Sequence, residues 1–218
     1  MARKARLNPK HLLIAAPLIV LLLLGMVQGK RMVFAGIYNH QTQQYLDFWD
    51  QQLKKKGSDF TVREKDFDVA LKGANKALDQ LPKSGEQWVF KARVLDWGQK
   101  YGLFEESGLT NDQYLSVWKT ATELRPFWPY SYLDYAMARA QLSLIDDEFE
   151  GALLKANQYG PWEKRVMETT ALLASHYRDW LSEPTQRELD KSMDRLARHY
   201  PRQARTFIEQ RDKALKEG

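Results

Sequence analysis

The hydrophobic positions of this 218-residue chain follow two different patterns. From Leu12 to Val27 sixteen consecutive residues carry no charge, whereas after residue 60 apolar positions recur at steps of three and four. The first pattern predicts a helix that crosses a membrane, and the second predicts amphipathic helices. No stretch shows the sustained alternation of polar and apolar residues that is typical of a strand, so the sequence predicts an all-α protein.

Four prolines share one preceding pattern, with three residues at relative positions 0, 4 and 7 and the proline at position 12. Such steps place the three side chains on one helical face, and the proline ends the helix because it has no amide hydrogen to donate. The four sets are Ala70, Ala74, Ala77 and Pro82; Tyr114, Trp118, Ala121 and Pro126; Phe149, Leu153, Ala156 and Pro161; and Leu189, Met193, Leu196 and Pro201. The prolines lie 44, 35 and 40 residues apart, so each set predicts the second helix of a repeated helical hairpin.

Matching first helices are predicted between the prolines, at about 86–101, 129–143 and 162–181. Their apolar positions are Trp88, Ala92 and Leu95; Leu133, Ala136 and Ala140; and Trp162, Val166, Leu173 and Tyr177. Local signals predict several helix starts: capping boxes at Thr61–Glu64 and Thr110–Gln113, Gly160 as an N-cap before Pro161, and Ser182 as a cap before Pro184.

The units resemble the tetratricopeptide repeat, whose second helix carries a small or aromatic residue, an aromatic residue, an alanine and a proline at these offsets. Residues 114–126 and 149–161 match well, whereas 70–82 and 189–201 are degenerate and the first helices keep only part of the family pattern. The resemblance implies a stack of antiparallel helical hairpins, an α-solenoid, over residues 60–218.

The uncharged run predicts a transmembrane anchor over residues 12–34. Sixteen helical residues span only about 24 Å, less than the roughly 30 Å of a bilayer core. Apolar residues up to Phe34 lengthen the run, and the long side chains of Lys30 and Arg31 can reach the interface. A tilted anchor of about 20 residues follows.

Charge asymmetry predicts the direction in which the anchor crosses the membrane. Four Lys/Arg precede the apolar run and two follow it, so residues 1–11 are predicted to be a cytoplasmic basic tail. In a bacterium the remainder then lies in the periplasm, on a single-pass inner-membrane protein. A cleaved signal peptide is the alternative, with Val27–Gly29 or Val33–Ala35 as loose cleavage sites, but the apolar run is slightly long for one.

Composition argues against several classes of partner and cofactor. The net charge of +5 invites a nucleic-acid partner, but residues 36–218 hold 27 basic and 28 acidic residues, so no nucleic acid is expected. Without cysteine there is no thiolate zinc site or thiol nucleophile. The four histidines lack the spacing of helical zinc ligands, and no phosphate-binding glycine motif occurs, so no metal or cofactor is expected.

Three aromatic residues that follow repeat prolines, Trp128, Tyr130 and Trp162, are candidate partner-binding residues. Exposed rings can stack on sugars or grip a peptide in a groove. The competing interpretation, favoured because aromatic residues dominate helix-packing cores, is that they wedge neighbouring hairpins together.

Arg198, Arg202 and Arg205 are further candidates, in a segment, 187–218, that holds nine basic and six acidic residues. They suit an acidic partner or an anionic glycan, and the competing interpretation is a solvated capping face.

Four acidic residues stand close together at Asp146, Asp147, Glu148 and Glu150. Paired carboxylates can act as acid and base or hold a cation, but consecutive acids also complement the dipole of a helix N-terminus. The second interpretation is favoured, and no enzymatic activity is expected.

A juxtamembrane helix is predicted over residues 35–59, with an apolar stripe along one side. The stripe consists of Tyr38, Tyr45, Leu46, Trp49 and Leu53. It predicts a self-associating stalk, packing on the first hairpin, or a position near lipid headgroups.

A narrower resemblance covers about residues 110–205. Trp128–Leu133, Asp147–Phe149, Ala152–Ala156 and Gly160–Val166 together look like the VpsP-type family of exopolysaccharide-biosynthesis accessory proteins. This implies a membrane-anchored, non-enzymatic adaptor with protein partners in a polysaccharide synthesis and export complex, and a glycan as a further candidate partner. A periplasmic protein-assembly or chaperone-like peptide-binding factor is the alternative, and a glycan-modifying enzyme that uses the acidic cluster ranks third.

Overall fold

In the computed structural model, residues 9–205 and 207–209 are described, with side chains from residue 15 onward. Every regular element in these ranges is helical, which confirms the predicted all-α fold. The helices are α1 (Pro9–Lys56), α2 (Glu64–Gln80), α3 (Gly85–Lys100), α4 (Asn111–Leu124), α5 (Pro129–Gln141), α6 (Asp147–Tyr159), α7 (Lys164–Tyr177) and α8 (Glu183–His199). Residues 201–205 and 207–209 are also helical, whereas most of the predicted basic tail and the end of the predicted repeat domain lie outside the described residues.

The helices pack as antiparallel hairpins, as predicted. α1 packs on α2, α3 on α4, α5 on α6 and α7 on α8, and each hairpin contacts the next. All twelve residues of the predicted second-helix faces, from Ala70 to Leu196, are at most 1 % exposed. The repeated face therefore forms the core of the stack.

Each second helix ends two residues before its proline, at Gln80, Leu124, Tyr159 and His199. The residue that precedes a proline is disfavoured in the helical region, so these ends are determined locally. Equivalent turns therefore follow the second helix of each hairpin.

Two predicted helix starts at the other turns have different outcomes. The capping box at Thr110 is present, with the Gln113 amide donating to the Thr110 hydroxyl at 3.2 Å. The predicted box at Thr61 is wrong, because α2 begins at Glu64 with Arg63 as N-cap and no side-chain cap. Buried Phe60 and Val62 hold this segment against the core and leave Thr61 exposed.

The predicted start at Gly160 is also wrong. Gly160 closes α6 by donating its amide to the Ala156 carbonyl at 2.9 Å, and α7 begins only at Lys164. Trp162 therefore lies in a turn, outside the helix predicted for 162–181. Ser182 does occupy the cap position of α8, but its hydroxyl contacts Glu150 and not the backbone of its own helix.

α1 is a single helix that joins the predicted anchor to the predicted juxtamembrane segment. Large apolar side chains between Leu18 and Val33 are 54–70 % exposed. Within the described residues, it is the one helix long and apolar enough to cross a membrane. Its second half is different, because Ala35, Leu46 and Trp49 are each 1 % exposed.

The second half of α1 belongs to the first hairpin. The Thr42 hydroxyl donates to the Ala70 carbonyl of α2 at 3.4 Å, and a Cβ added at Gly73 would collide with that hydroxyl. Trp49 packs on Trp97 of α3 with ring centroids 5.5 Å apart. Of the three predictions for the apolar stripe, packing on the first hairpin is confirmed.

Candidate partner-binding surfaces

The four proline-containing turns lie side by side at one end of the stack. Antiparallel hairpins return every second connection to the same end, and direct contacts join these turns. A Cβ added at Gly85 would collide with Arg125, and one added at Gly160 would lie 2.8 Å from the ring of Pro129. We call residues 81–84, 125–128, 160–163 and 200–201 the proline end, and the other connections the opposite end.

Both candidate tryptophans are exposed at the proline end, by 44 % for Trp128 and 65 % for Trp162. The prediction that they wedge hairpins together in the core is therefore wrong for these two side chains. Tyr130 is partly buried, and its hydroxyl donates to Glu163 at 2.5 Å. The ring of Trp128 contacts that of Tyr130, with centroids 5.5 Å apart.

The candidate arginines lie near the last turn of the same end, and all three are exposed. Arg198 and Arg202 each stand two residues from Tyr200, whereas Arg205 follows Arg202 by about one helical turn. The structure therefore brings Trp128 and Tyr130 into contact. It places Trp162 beside His199, one residue after Arg198.

Both exposed tryptophan rings at the proline end have a cationic neighbour. The Arg125 guanidinium lies 4.4 Å from the ring centroid of Trp128, and that of Arg195 lies 5.9 Å from the centroid of Trp162. Arg195 is held in place because its Nε donates to the Pro161 carbonyl at 3.0 Å. These contacts combine an apolar surface with positive charge.

A groove that the sequence did not predict runs between α1 and α3, the first helices of two hairpins, with a volume of about 360 Å³. It is lined by Asn39, His40, Gln43, Glu86, Val89, Phe90, Arg93 and Arg125. The Oδ1 atom of Asn39 is buried there without a hydrogen-bond partner. The groove thus combines charged, amide and apolar side chains.

The groove continues into a polar strip on the first helices of the later hairpins. Asp134 of α5 forms an ion pair with Arg165 of α7. Burial raises the pKa of Asp134. The positive charge of Arg165 and the hydrogen bond that it donates oppose that rise. The first helices therefore present acidic and basic side chains beside the apolar side chains of Val89 and Phe90. We call it the first-helix face.

The acidic cluster is engaged in structural contacts at the opposite end. Asp146 caps α6 by accepting from the Phe149 amide at 3.1 Å, and buried Arg139 forms ion pairs with Asp146 and Glu148. Glu150 accepts from the Ser182 amide at 2.8 Å. The helix-start interpretation of the acids is thus confirmed for Asp146.

The pKa values of this cluster follow from the same contacts. A hydrogen bond from Lys119 lowers the pKa of Glu148, with further help from Tyr135. Burial works against ionisation of Asp146, but hydrogen bonds from Arg139 and the Phe149 amide lower its pKa overall. Both carboxylates are therefore charged at neutral pH and held by their partners.

A second polar cluster lies between α3 and α4. The Asp96 carboxylate accepts from the Tyr114 hydroxyl at 2.7 Å and from the Trp118 indole at 2.9 Å. Burial raises the pKa of Asp96 to about 7, although both hydrogen bonds oppose the rise. Tyr114 and Trp118 were predicted only as core residues, because their partner is 18 or more positions away in the sequence.

No protein-family model matches the sequence, and no curated protein matches it. Among solved structures, that described as "Crystal structure of MamA protein" is similar, with a TM-score of 0.45 and 16 % sequence identity. The match covers 80 % of this chain and 86 % of that chain.

Proposed function

We propose that this protein is a non-enzymatic scaffold that α1 anchors in the inner membrane, with its hairpin stack on the periplasmic side. The observation that carries the proposal is the division of α1. Its first half exposes a continuous apolar surface, which water disfavours, while its second half is part of the hairpin core. A rigid connection between a membrane span and a repeat domain follows from this division.

The scaffold would bind a protein partner on the first-helix face. The groove between α1 and α3 offers the apolar surface of Val89 and Phe90 beside the exposed charge of Arg93. Such a mixture suits an extended peptide or a helix of another protein. The engagement of most of the acidic cluster in caps and ion pairs supports a non-enzymatic role, because Asp146, Glu148 and Glu150 already have partners.

We propose further that the partners belong to an exopolysaccharide synthesis and export complex. This part rests on the resemblance to the VpsP-type family, whose matching residues lie on α5, α6, α7 and the turn at 160–163.

The test uses the full chain in its native membrane. A photo-crosslinking residue is placed at Phe90 on the first-helix face, and a matched one at Phe48, which is 50 % exposed outside the groove. We expect Phe90 to form a crosslink to a polysaccharide-assembly protein that Phe48 does not form. Arg93→Glu should remove that crosslink and lower polymer yield, while the amount of the protein in the membrane stays unchanged.

Equal crosslinking from both positions would contradict the first-helix face as the binding surface. Wild-type polymer yield in a strain that lacks the protein would contradict the polysaccharide role. General loss of envelope proteins in the same strain would instead favour the peptide-binding assembly factor. A reporter fused after residue 218 and active only in the cytoplasm would contradict the orientation.

A further inference from the structure

We propose that the proline end of the hairpin stack rests on the bilayer that α1 spans, with Phe127, Trp128 and Trp162 in the headgroup region. The occupant of this surface is a lipid surface that carries anionic headgroups. The inference rests on the proposed membrane span and adds a second, peripheral contact to it.

The depth of α1 in the bilayer places the first proline turn at the membrane surface. Nineteen residues between Lys10 and Lys30 lack Asp, Glu, Lys and Arg, close to the roughly 20 that a bilayer core about 30 Å thick requires. The headgroup region therefore begins between Lys30, where the charge-free run stops, and Phe34, where the predicted anchor ends. Gln28 and Arg31 of α1 line the same cavity as residues 80–84, so this turn lies at headgroup level.

The other proline turns follow from the first by direct contact. Gly85 of α3 lies against Arg125 of the second turn, and Pro129 beside the second turn lies against Gly160 of the third. The ring of Trp162 in the third turn lies 5.5 Å from that of His199, at the end of α8. A single row of turns therefore leads from the point where α1 leaves the bilayer.

Exposed apolar groups in this row suit the interface between acyl chains and headgroups. Phe127 is 75 % exposed at the tip of its turn, and Trp162 is 65 % exposed. Tryptophan is enriched at membrane interfaces because its ring is apolar and its N–H is polar. The guanidinium groups of Arg125 and Arg195, which stand over the tryptophan rings, are placed to meet lipid phosphates.

The two ends of the stack differ in net charge, and the proline end is the more positive, as contact with an anionic surface requires. The charges are counted over each connection together with up to four helical residues on either side. At the proline end these segments are 77–88, 121–132, 156–167 and 196–204. These segments hold six basic and four acidic residues, whereas the four segments of the opposite end hold eight basic and twelve acidic residues. Attraction to anionic lipid therefore favours the proline end.

The test measures lipid contact position by position in the full chain. Because the chain has no cysteine, one cysteine can be introduced at a time and labelled with an environment-sensitive fluorophore. The positions are Phe127→Cys and Trp162→Cys at the proline end, Trp180→Cys at the opposite end, and Leu22→Cys in the apolar half of α1. Trp180 is a matched control because it is 66 % exposed, almost the same as Trp162.

Each labelled protein is reconstituted in vesicles of phosphatidylcholine and phosphatidylglycerol, with and without a lipid that carries a quencher near its headgroup. We expect the labels at Phe127 and Trp162 to lose about half of their fluorescence, and the label at Trp180 to lose almost none. Replacing phosphatidylglycerol by phosphatidylcholine should weaken quenching at Phe127 and Trp162.

Quenching at Leu22 by a lipid with the quencher deep in its acyl chain separates the two proposals. If Leu22 is quenched but Phe127 and Trp162 are not, or if Trp180 is quenched equally, the lipid contact of the proline end is wrong while the anchor stands. If Leu22 is not quenched, the membrane span itself fails, and the contact proposed here fails with it. Quenching that does not depend on phosphatidylglycerol would contradict the role of anionic headgroups.

Discussion

The connections between helices differ at the two ends of the hairpin stack. At the proline end the connections are short, they pack on one another through Gly85 and Gly160, and they leave Phe127 and Trp162 exposed. At the opposite end the connections are longer, and charged side chains pair with one another both within a hairpin and between hairpins. Arg139 is the clearest example, because it is 7 % exposed and contacts two carboxylates.

This difference separates surface that is free to bind from surface that holds the fold together. Exposed rings at the proline end stabilise little in water and are available to another molecule. The acids at 146–150 resemble a catalytic cluster in the sequence, but Asp146, Glu148 and Glu150 are already bound to other groups of the fold. Substitutions at the opposite end should therefore destabilise the protein by breaking ion pairs. Substitutions at the proline end should do so by disturbing the packing of the turns.

The largest loss of stability is expected for Arg139→Met at the opposite end. The variant keeps the apolar stem but leaves Asp146 and Glu148 without their buried cation. Removal of one partner from a buried ion pair costs several kcal/mol, and because both carboxylates can return to water we expect about 3 kcal/mol here. Urea unfolding of the full chain in detergent, followed by circular dichroism, measures it. Arg187→Met, in an exposed pair, should change the free energy of unfolding by less than about 1 kcal/mol.

At the proline end the largest loss is expected for Gly160→Val. The added atoms would meet the ring of Pro129, whose separation from an added Cβ would be only 2.8 Å. Overpacking of this kind costs about 2 kcal/mol. Gly151→Ala is the control, because nothing lies within 4 Å of an added Cβ in the middle of α6. It should stabilise by up to about 1 kcal/mol, and a loss as large as that of Gly160→Val would contradict the close contact between turns.

Helix caps give a smaller contrast between the ends. Thr110→Ala removes a capping box at the opposite end and should lower the free energy of unfolding by about 1 kcal/mol. Ser84 occupies the corresponding position before α3 at the proline end, but its side chain makes no cap hydrogen bond. Ser84→Ala should therefore have almost no effect on the urea midpoint. Equal effects from the two variants would show that the hydroxyl of Thr110 contributes nothing as a cap.

The smallest effect concerns the pH dependence of the ion pairs. The pKa of Glu148 is lowered in the folded protein, first by the hydrogen bond from Lys119, so its ionised form stabilises the fold above the unfolded pKa of about 4. As the pH falls through the lowered folded value, this contribution disappears. Wild type should exceed Glu148→Gln in stability at pH 7, and the gap should close below pH 4. A gap that stays constant from pH 7 to pH 3 would contradict the charge-based contribution.

Much of the fold could be predicted because its signals are local. Each second helix ends two residues before a proline, and the face at Tyr114, Trp118 and Ala121 is visible as a three-residue pattern. The start of α4 was predicted from Thr110 and Gln113, which are three residues apart. Local signals failed at Thr61, where the burial of Phe60 and Val62 decides the backbone. At Gly160 the signal was assigned to the wrong helix, because Pro161 ends α6 and α7 begins only at Lys164.

The candidate surfaces were harder to predict because they depend on which helices become neighbours. Trp128 and Trp162 were selected as candidates because they follow repeat prolines, but their exposure depends on how the turns pack. The groove beside Asn39 and Phe90 requires the second half of α1 to pack into the first hairpin, and these two residues are 51 positions apart. The sequence predicted three alternatives for that segment and could not choose among them.

The continuity of α1 has a geometric consequence for how the chain presents its surfaces. A helix turns by about 100° and rises about 1.5 Å per residue, so one residue inserted between Phe34 and Ala35 would swing every hairpin about 100° around the helix axis. Seven inserted residues would nearly restore the direction but add about 10 Å of height. The number of α1 residues between its apolar half and Ala35 thus sets two quantities. One is the direction that each binding surface faces around the helix axis, and the other is the distance of that surface from the apolar half.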